Sequence, residues 1–210
     1  MGSSEQPPRH QTGRFLVLEG LDGAGTTTQA GLLADALRAR DLRVCQTAEP
    51  SDGPLGRVLR AHLTGELTLD PLTTALTFTA DRAEHLARVV RPALGRGEWV
   101  VCDRYLLSTL AYQGAEGVDR ELVLRSSSGF EIPELTVFLD VPIADLATRL
   151  AERPNIERYE APALAESIAA SYRTSIDLLR TAGHRIEVVD GSAAPHEVLS
   201  EVLARLDAVV

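Results

Sequence analysis

Residues 15–29 read FLVLEGLDGAGTTTQ: an apolar run, a glycine-rich turn, then residues suited to opening a helix. In such a turn Gly20, Gly23 and Gly25 let the backbone take conformations that a side chain forbids, so successive N–H groups can converge on one anion. A helix beginning near Thr27 adds the positive end of its dipole. Against the phosphate-loop pattern GxxxxGK[ST], Gly20, Gly25 and Thr27 are in place, whereas Thr26 occupies the lysine position. Taken alone the stretch admits two readings, a phosphate cradle or a plain strand-to-helix turn.

The flanking sequence extends the first reading. Residues 14–19 are nearly all apolar, as expected of a parallel strand covered on both faces. Further strands are expected at 42–47, 98–102, 135–141 and 186–189. Helices are expected at 27–40, 53–63, 72–94, 105–114, 119–125, 144–152, 164–181 and 195–206. Strands alternating with helices call for right-handed crossovers, and hence an α/β three-layer sandwich with about five parallel strands. Residues 1–13 are polar with two prolines and are expected to be a disordered tail; residues 14–210 are expected to form one domain.

The totals narrow the partners. A net charge of -9 repels a polyanion, which argues against a nucleic-acid polymer. No apolar run approaches bilayer length, so no membrane partner is expected. Cys45 and Cys102, without metal-ligand spacing, read as reduced, buried thiols of a cytoplasmic protein. His10, His62, His85, His184 and His196 are scattered, with no metal spacing or evident partner, and receive no catalytic role.

Phosphoryl transfer between small molecules needs a donor cradle, cations and an acceptor pocket. Thr27 holds the position of a Mg²⁺-touching hydroxyl, and Asp22 and Asp103 are strand-end carboxylates able to hold the ion directly or through water; the alternative is a helix cap and two turn aspartates. Arg60, Arg82, Arg104, Arg149, Arg153 and Arg158 lie near expected loop junctions, where an arginine is either a phosphate fork or a solvated charge. Arg104, directly after a strand and an aspartate, points to the ligand crevice. Phe78 and Tyr112 either sandwich a base or pack in the core.

In series, FLVLEGLDGAG-TTTQ, Glu49-Pro50 with Gly56 and Arg60, residues 78–82 (FTADR), Asp103-Arg104-Tyr105 with Ser108, residues 111–114 (AYQG) and residues 149–160 resemble the thymidylate kinase family of P-loop kinases. The resemblance implies an ATP- and Mg²⁺-dependent homodimer that phosphorylates dTMP. It implies Asp22, Arg104 and Arg153 as catalytic groups, the last in a lid near residues 149–160. ATP falls to Gly20, Gly23, Ala24, Gly25, Thr26, Thr27, Thr28 and Arg149, and the metal to Thr27 and Asp103. For dTMP it implies Phe78 stacked on thymine, Arg82, Thr109 and Gln113 on the base edge, and Tyr112 crowding the 2′ position. Arg60 and Arg104 fall on the acceptor phosphate, Asp22 near the 3′-hydroxyl, and Glu49 and Ser108 at the same end. The chain departs from the family at Ala48, Ser51-Asp52 and above all Thr26, where a lost cation would remove several kcal/mol of transition-state stabilisation. An inactive dTMP- or dTTP-binding protein, or a kinase of another nucleoside monophosphate, are the alternatives.

Overall fold

The computed structural model describes residues 13–151, 159 and 162–209. Strand β1 (Phe15–Gly20) is buried at every position, as an unbroken apolar run requires of a strand covered on both faces. It pairs in parallel with β3 (Trp99–Asp103) on one side and β4 (Leu135–Asp140) on the other. Outside these lie β2 (Val44–Ala48) and β5 (Ile186–Asp190), giving the order β2-β3-β1-β4-β5 with every neighbouring pair parallel. The five-stranded α/β architecture expected from the alternating pattern is present.

Helices cover both faces of the sheet. α1 (Thr26–Arg38) packs with α9 (Pro195–Asp207), while α5 (Leu106–Ala115) packs with α8 (Pro162–Thr181). α2 (Pro54–Leu63) leans on α3 (Pro71–His85), and α3 on α5. The helical region expected over 72–94 has three parts: α3, a wider π-helical turn at Leu86–Val90, and α4 (Arg91–Gly95). Pro92, which lacks an N–H, stands just after the wide turn, where a regular ladder could not close. Asp70 starts α3 by accepting the Leu72 and Thr73 amides, at 3.0 and 3.1 Å. α6 (Arg120–Ser126) and α7 (Ile143–Ala151) complete the described helices.

The strands meant to deliver site residues end one residue later than expected. The ladder continues to the Ala48–Asp103 pair, so Asp103 is the last rung of β3 rather than the first loop residue. Gly23 and Gly25 have φ of 87° and 92°, the left-handed region that favours glycine. Gly20 is not in that region, contrary to expectation. Its need is space, since a Cβ there would stand 2.8 Å from the Ala24 Cβ.

The segment after β2 is pinned to α3. The Ser51 N–H and Oγ donate to the two oxygens of Asp81, at 2.7 and 2.6 Å, and Asp81 is buried. α2 lies so close to this segment that a Cβ on Gly56 would be 1.7 Å from the Ser51 carbonyl oxygen. Backbone cannot yield there as a flexible side chain could. Gly56→Ala is therefore expected to lower stability by about 3 kcal/mol. The check is a reduced urea midpoint at unchanged slope; an unshifted midpoint would contradict the packing.

Candidate active site

Beyond the carboxyl ends of β1 and β3 lies a cavity of about 240 Å³, at the place where parallel sheets open a crevice. Its floor is Arg82, only 1% exposed. Arg82 Nε donates to Glu49 Oε2 at 2.8 Å, Nη2 donates to Thr109 Oγ1 at 2.9 Å, and the guanidinium stands 4.9 Å from the centre of the Tyr105 ring. Glu49 is bonded on its other oxygen by His85 Nδ1 at 3.1 Å, and His85 Nε2 meets Thr47 Oγ1 at 2.7 Å. Glu49 and Thr109 thus hold the arginine. Arg82 Nη1 has no partner among the described residues. Across the cavity Gln113 donates through Nε2 to the Tyr159 hydroxyl at 3.2 Å, and its Oε1 likewise has no partner among the described residues. Two cavity-lining side chains thus keep one buried donor and one buried acceptor unmatched, at a cost of about 1–3 kcal/mol each until a ligand pairs them. Phe78, one turn before Arg82 on α3, lines the same space.

The other end of the cavity carries the arginines. Arg104 Nη2 donates to Asp22 Oδ1 at 2.7 Å, and Nη1 lies 2.9 Å from the Gly20 carbonyl, 3.2 Å from Ser108 Oγ and 3.3 Å from the Tyr112 hydroxyl. Arg60 reaches the cavity too, with its fork spread over the Pro50 and Ser51 carbonyls, at 2.7 and 2.6 Å, and over Asp52 at 2.7 Å. Asp22, Glu49, Arg60, Phe78, Arg82, Arg104, Ser108, Thr109, Tyr112 and Gln113, separated in sequence, line this one cavity.

The glycine-rich turn borders it at Asp22. The Ala24 amide is spent inside the turn, donating to the Leu21 carbonyl at 2.9 Å. The Gln29 amide closes onto Gly25, leaving the earlier first-turn amides of α1 outside the helical ladder. Thr26 is buried, and Thr28 is exposed. Thr27 Oγ1 donates to Asp103 Oδ2 at 2.5 Å, and Asp103 Oδ1 is buried without a partner among the described residues. Among the described residues no cluster of three or more His, Cys, Asp or Glu side chains could cage an ion by itself. Mg²⁺ does not need one: a carboxylate, a hydroxyl, substrate phosphates and water make a site, so this donor set fits it. Arg149 Nη1 reaches the Gly23 carbonyl at 3.4 Å, and Nη2 the Gly191 and Ser192 carbonyls at 3.1 and 3.3 Å, tying the turn to the loop after β5. Arg153, Arg158 and most of the expected lid lie outside the described residues, as do residues 1–12 of the expected tail.

The sequence pattern of a known family, described as thymidylate kinase, matches residues 18–202. The chain belongs to the thymidylate kinase family. The thymidylate kinase of Bordetella petrii is 43% identical over 206 residues, covering 94% of this chain and 96% of that protein. A probable thymidylate kinase of Pyrobaculum aerophilum is 37% identical over 196 residues, covering 93% and 97%. A solved thymidylate kinase structure from Candida albicans shares the fold, with a TM-score of 0.79 over 94% of this chain and 92% of that one, at 23% identity. Membership supports the kinase reading; the two alternatives gain nothing from these relatives.

Several functional neighbours were not legible in the sequence. His85 was expected to lack a partner, yet it bonds Glu49 beneath the cavity; its spacing of three residues after Arg82 on one helix was the available signal. Cys102 is buried as expected, while Cys45 is half-buried, because β2 is an edge strand; both are free thiols. Tyr172 arrives from α8, and its hydroxyl donates to the Gly20 carbonyl at 2.9 Å. Glu19, fully buried in β1, accepts from Ser108 Oγ at 2.5 Å. Burial pushes the Glu19 carboxyl up to about 7, against the opposing pull of Ser108, Arg104 and two amides. The sign follows from linkage: a carboxyl raised above its ordinary 4.5 favours folding when protonated, and that contribution fades as pH rises from about 4.5 through about 7. Relative to Glu19→Gln, the wild-type chain is therefore expected to lose a few kcal/mol of stability between pH 5 and pH 8. Parallel urea titrations of the two proteins check this, and a pH-independent difference would refute it.

Proposed function

We propose that the chain transfers the γ-phosphoryl group of ATP to dTMP, giving ADP and dTDP in the supply of dTTP. The observation that carries the reading is the unmatched pair in the cavity. Arg82 Nη1 can only donate and Gln113 Oε1 can only accept. Thymine presents the complement, a carbonyl at C4 beside an N3–H. Phe78 supplies a ring for stacking, and Tyr112, against the Arg104 guanidinium, fits the role of crowding a 2′-hydroxyl.

The acceptor phosphate then lies toward Arg104 and Arg60. One of its oxygens, already anionic, attacks the γ-phosphorus of ATP in line. The new O–P bond forms as the bond from the γ-phosphorus to the β,γ-bridging oxygen breaks, and ADP leaves with that electron pair. No side chain has to remove a proton. Arg104 draws the acceptor toward the donor, and Asp22 holds Arg104 in line for the task. The first-turn amides of α1 bind the donor phosphates, and Arg149 braces the turn that presents them. Mg²⁺, held by Thr27 and Asp103 directly or through water, would neutralise charge on the donor phosphates. Thr26 supplies no positive charge, so the lysine's share of charge stabilisation falls to arginines, with Arg153 the candidate by family resemblance.

We further propose a cytoplasmic homodimer. Leu72 and Leu76, one turn apart on α3, are 44% and 46% exposed and offer an apolar contact face, and the two free thiols suit a reducing compartment.

A coupled assay with dTMP, ATP and Mg²⁺ tests the activity. Turnover by the unmodified chain is expected; dTMP binding without turnover would overturn it in favour of the binding-protein alternative, and preferential turnover of another monophosphate would overturn the substrate. Gln113→Ala is expected to raise KM for dTMP by about tenfold, the loss of one ligand hydrogen bond, with KM for ATP unchanged.

A further inference from the structure

Helix α5 begins without a cap of its own. Tyr105, its N-cap residue, makes no side-chain capping bond, although first-turn amides need acceptors. The cap comes from the neighbouring strand. Glu19 Oε1 accepts the amides of Tyr105 and Ser108, at 2.8 and 3.1 Å, while Oε2 accepts the Ser108 hydroxyl at 2.5 Å. These are the amides a helix would ordinarily satisfy through its own N-cap and N3 side chains.

The residue immediately before this cap is Arg104, whose φ is 69°. A side-chain-bearing residue stays in the left-handed region only where its surroundings hold it. Both peptides flanking Arg104 are tied to β1: its own N–H donates to the Leu18 carbonyl at 2.8 Å, and the next N–H, that of Tyr105, donates to Glu19. The guanidinium is tied to the same carboxylate through one intermediary, since Nη1 meets Ser108 Oγ at 3.2 Å and Ser108 Oγ donates to Glu19. The Tyr172 hydroxyl closes the group, 3.0 Å from Ser108 Oγ and 3.3 Å from Arg104 Nη1. Glu19 itself is not among the cavity-lining residues.

We propose that Glu19 is the positioning residue of the acceptor-phosphate arginine: by capping α5 from β1 it fixes the backbone and, through Ser108, the guanidinium of Arg104, without touching substrate. The inference rests on the proposed role of Arg104 in gripping dTMP. A purely structural carboxylate would affect the amount of folded protein; a positioning one affects dTMP and spares ATP.

The experiment measures KM for dTMP and for ATP in the full chain, with calorimetric dTMP binding to the wild type as reference, for Glu19→Ala, Glu19→Gln, Arg104→Ala and Glu19→Ala/Arg104→Ala, each corrected for folded fraction by near-UV circular dichroism. Glu19→Ala is expected to raise KM for dTMP by about tenfold or more while KM for ATP moves less than about twofold. Glu19→Gln, whose amide oxygen still accepts both N–H groups, is expected to recover most of the loss. The double variant is expected to bind dTMP no worse than Arg104→Ala alone. Additive effects in the double variant, equal losses for both substrates, or an unchanged KM for dTMP in folded Glu19→Ala would each overturn the proposal. If Glu19→Ala does not fold, Glu19→Asp, one methylene too short to reach both amides, takes its place in the cycle with Arg104→Ala, and additivity there overturns it equally. A wild-type chain that binds no dTMP would instead sink the functional reading, whatever the variants do.

Discussion

The buried ion pair between Arg82 and Glu49 is the constraint around which the acceptor cavity is arranged. Its charged atoms approach to 2.8 Å with side chains 1% and 3% exposed. Removing each ion from water costs several kcal/mol, and such pairs commonly return no more than an apolar pair of the same volume would. Stability is therefore a poor reason for it. What it provides is direction: Glu49 just after β2 and Thr109 from α5 lock a guanidinium of α3 with its Nη1 left unpaired among the described residues. His85 bonds the other oxygen of Glu49, so the carboxylate is held from both sides.

The same principle governs the phosphate end. Arg104 and Arg60 are held in place by carbonyls, hydroxyls and carboxylates before any ligand arrives. Held cations lose little freedom on binding, which favours affinity and in-line geometry. Asp52 is particular in this respect. It contacts Arg60 from an exposed position, so it is a screened competitor for the arginine rather than a structural partner. Its neighbour Ser51 latches onto buried Asp81.

Much of this was legible in the sequence because it was local. An apolar run, a glycine turn and a helix opening are contiguous, and Asp103-Arg104 stands at the end of its strand, so fold class, and strand ends to within one residue, could be read from periodicity. What was not legible depends on topology. Glu19 looked like one more residue of a buried strand, and nothing at position 19 announces that Ser108 and Tyr105 will sit beside it. Tyr172 reads as a core residue of an amphipathic helix until α8 packs on α5. Gly20 looked like a turn glycine, and only the approach of Ala24 shows that it is needed for space. Arg60 was readable as a cation in the right place, but not as one already sharing its fork with the Pro50 and Ser51 carbonyls.

The central claim is that one donor and one acceptor, left unmatched in a buried cavity, read the edge of a thymine base. Cytosine reverses that edge, with an amino group at C4 and an acceptor at N3. Calorimetric titration of the unmodified chain with dTMP and with dCMP compares the two directly. Binding of dTMP tighter by about 100-fold is expected, since dCMP would leave both buried groups facing their own kind. Equal affinities for dTMP and dCMP would contradict the claim.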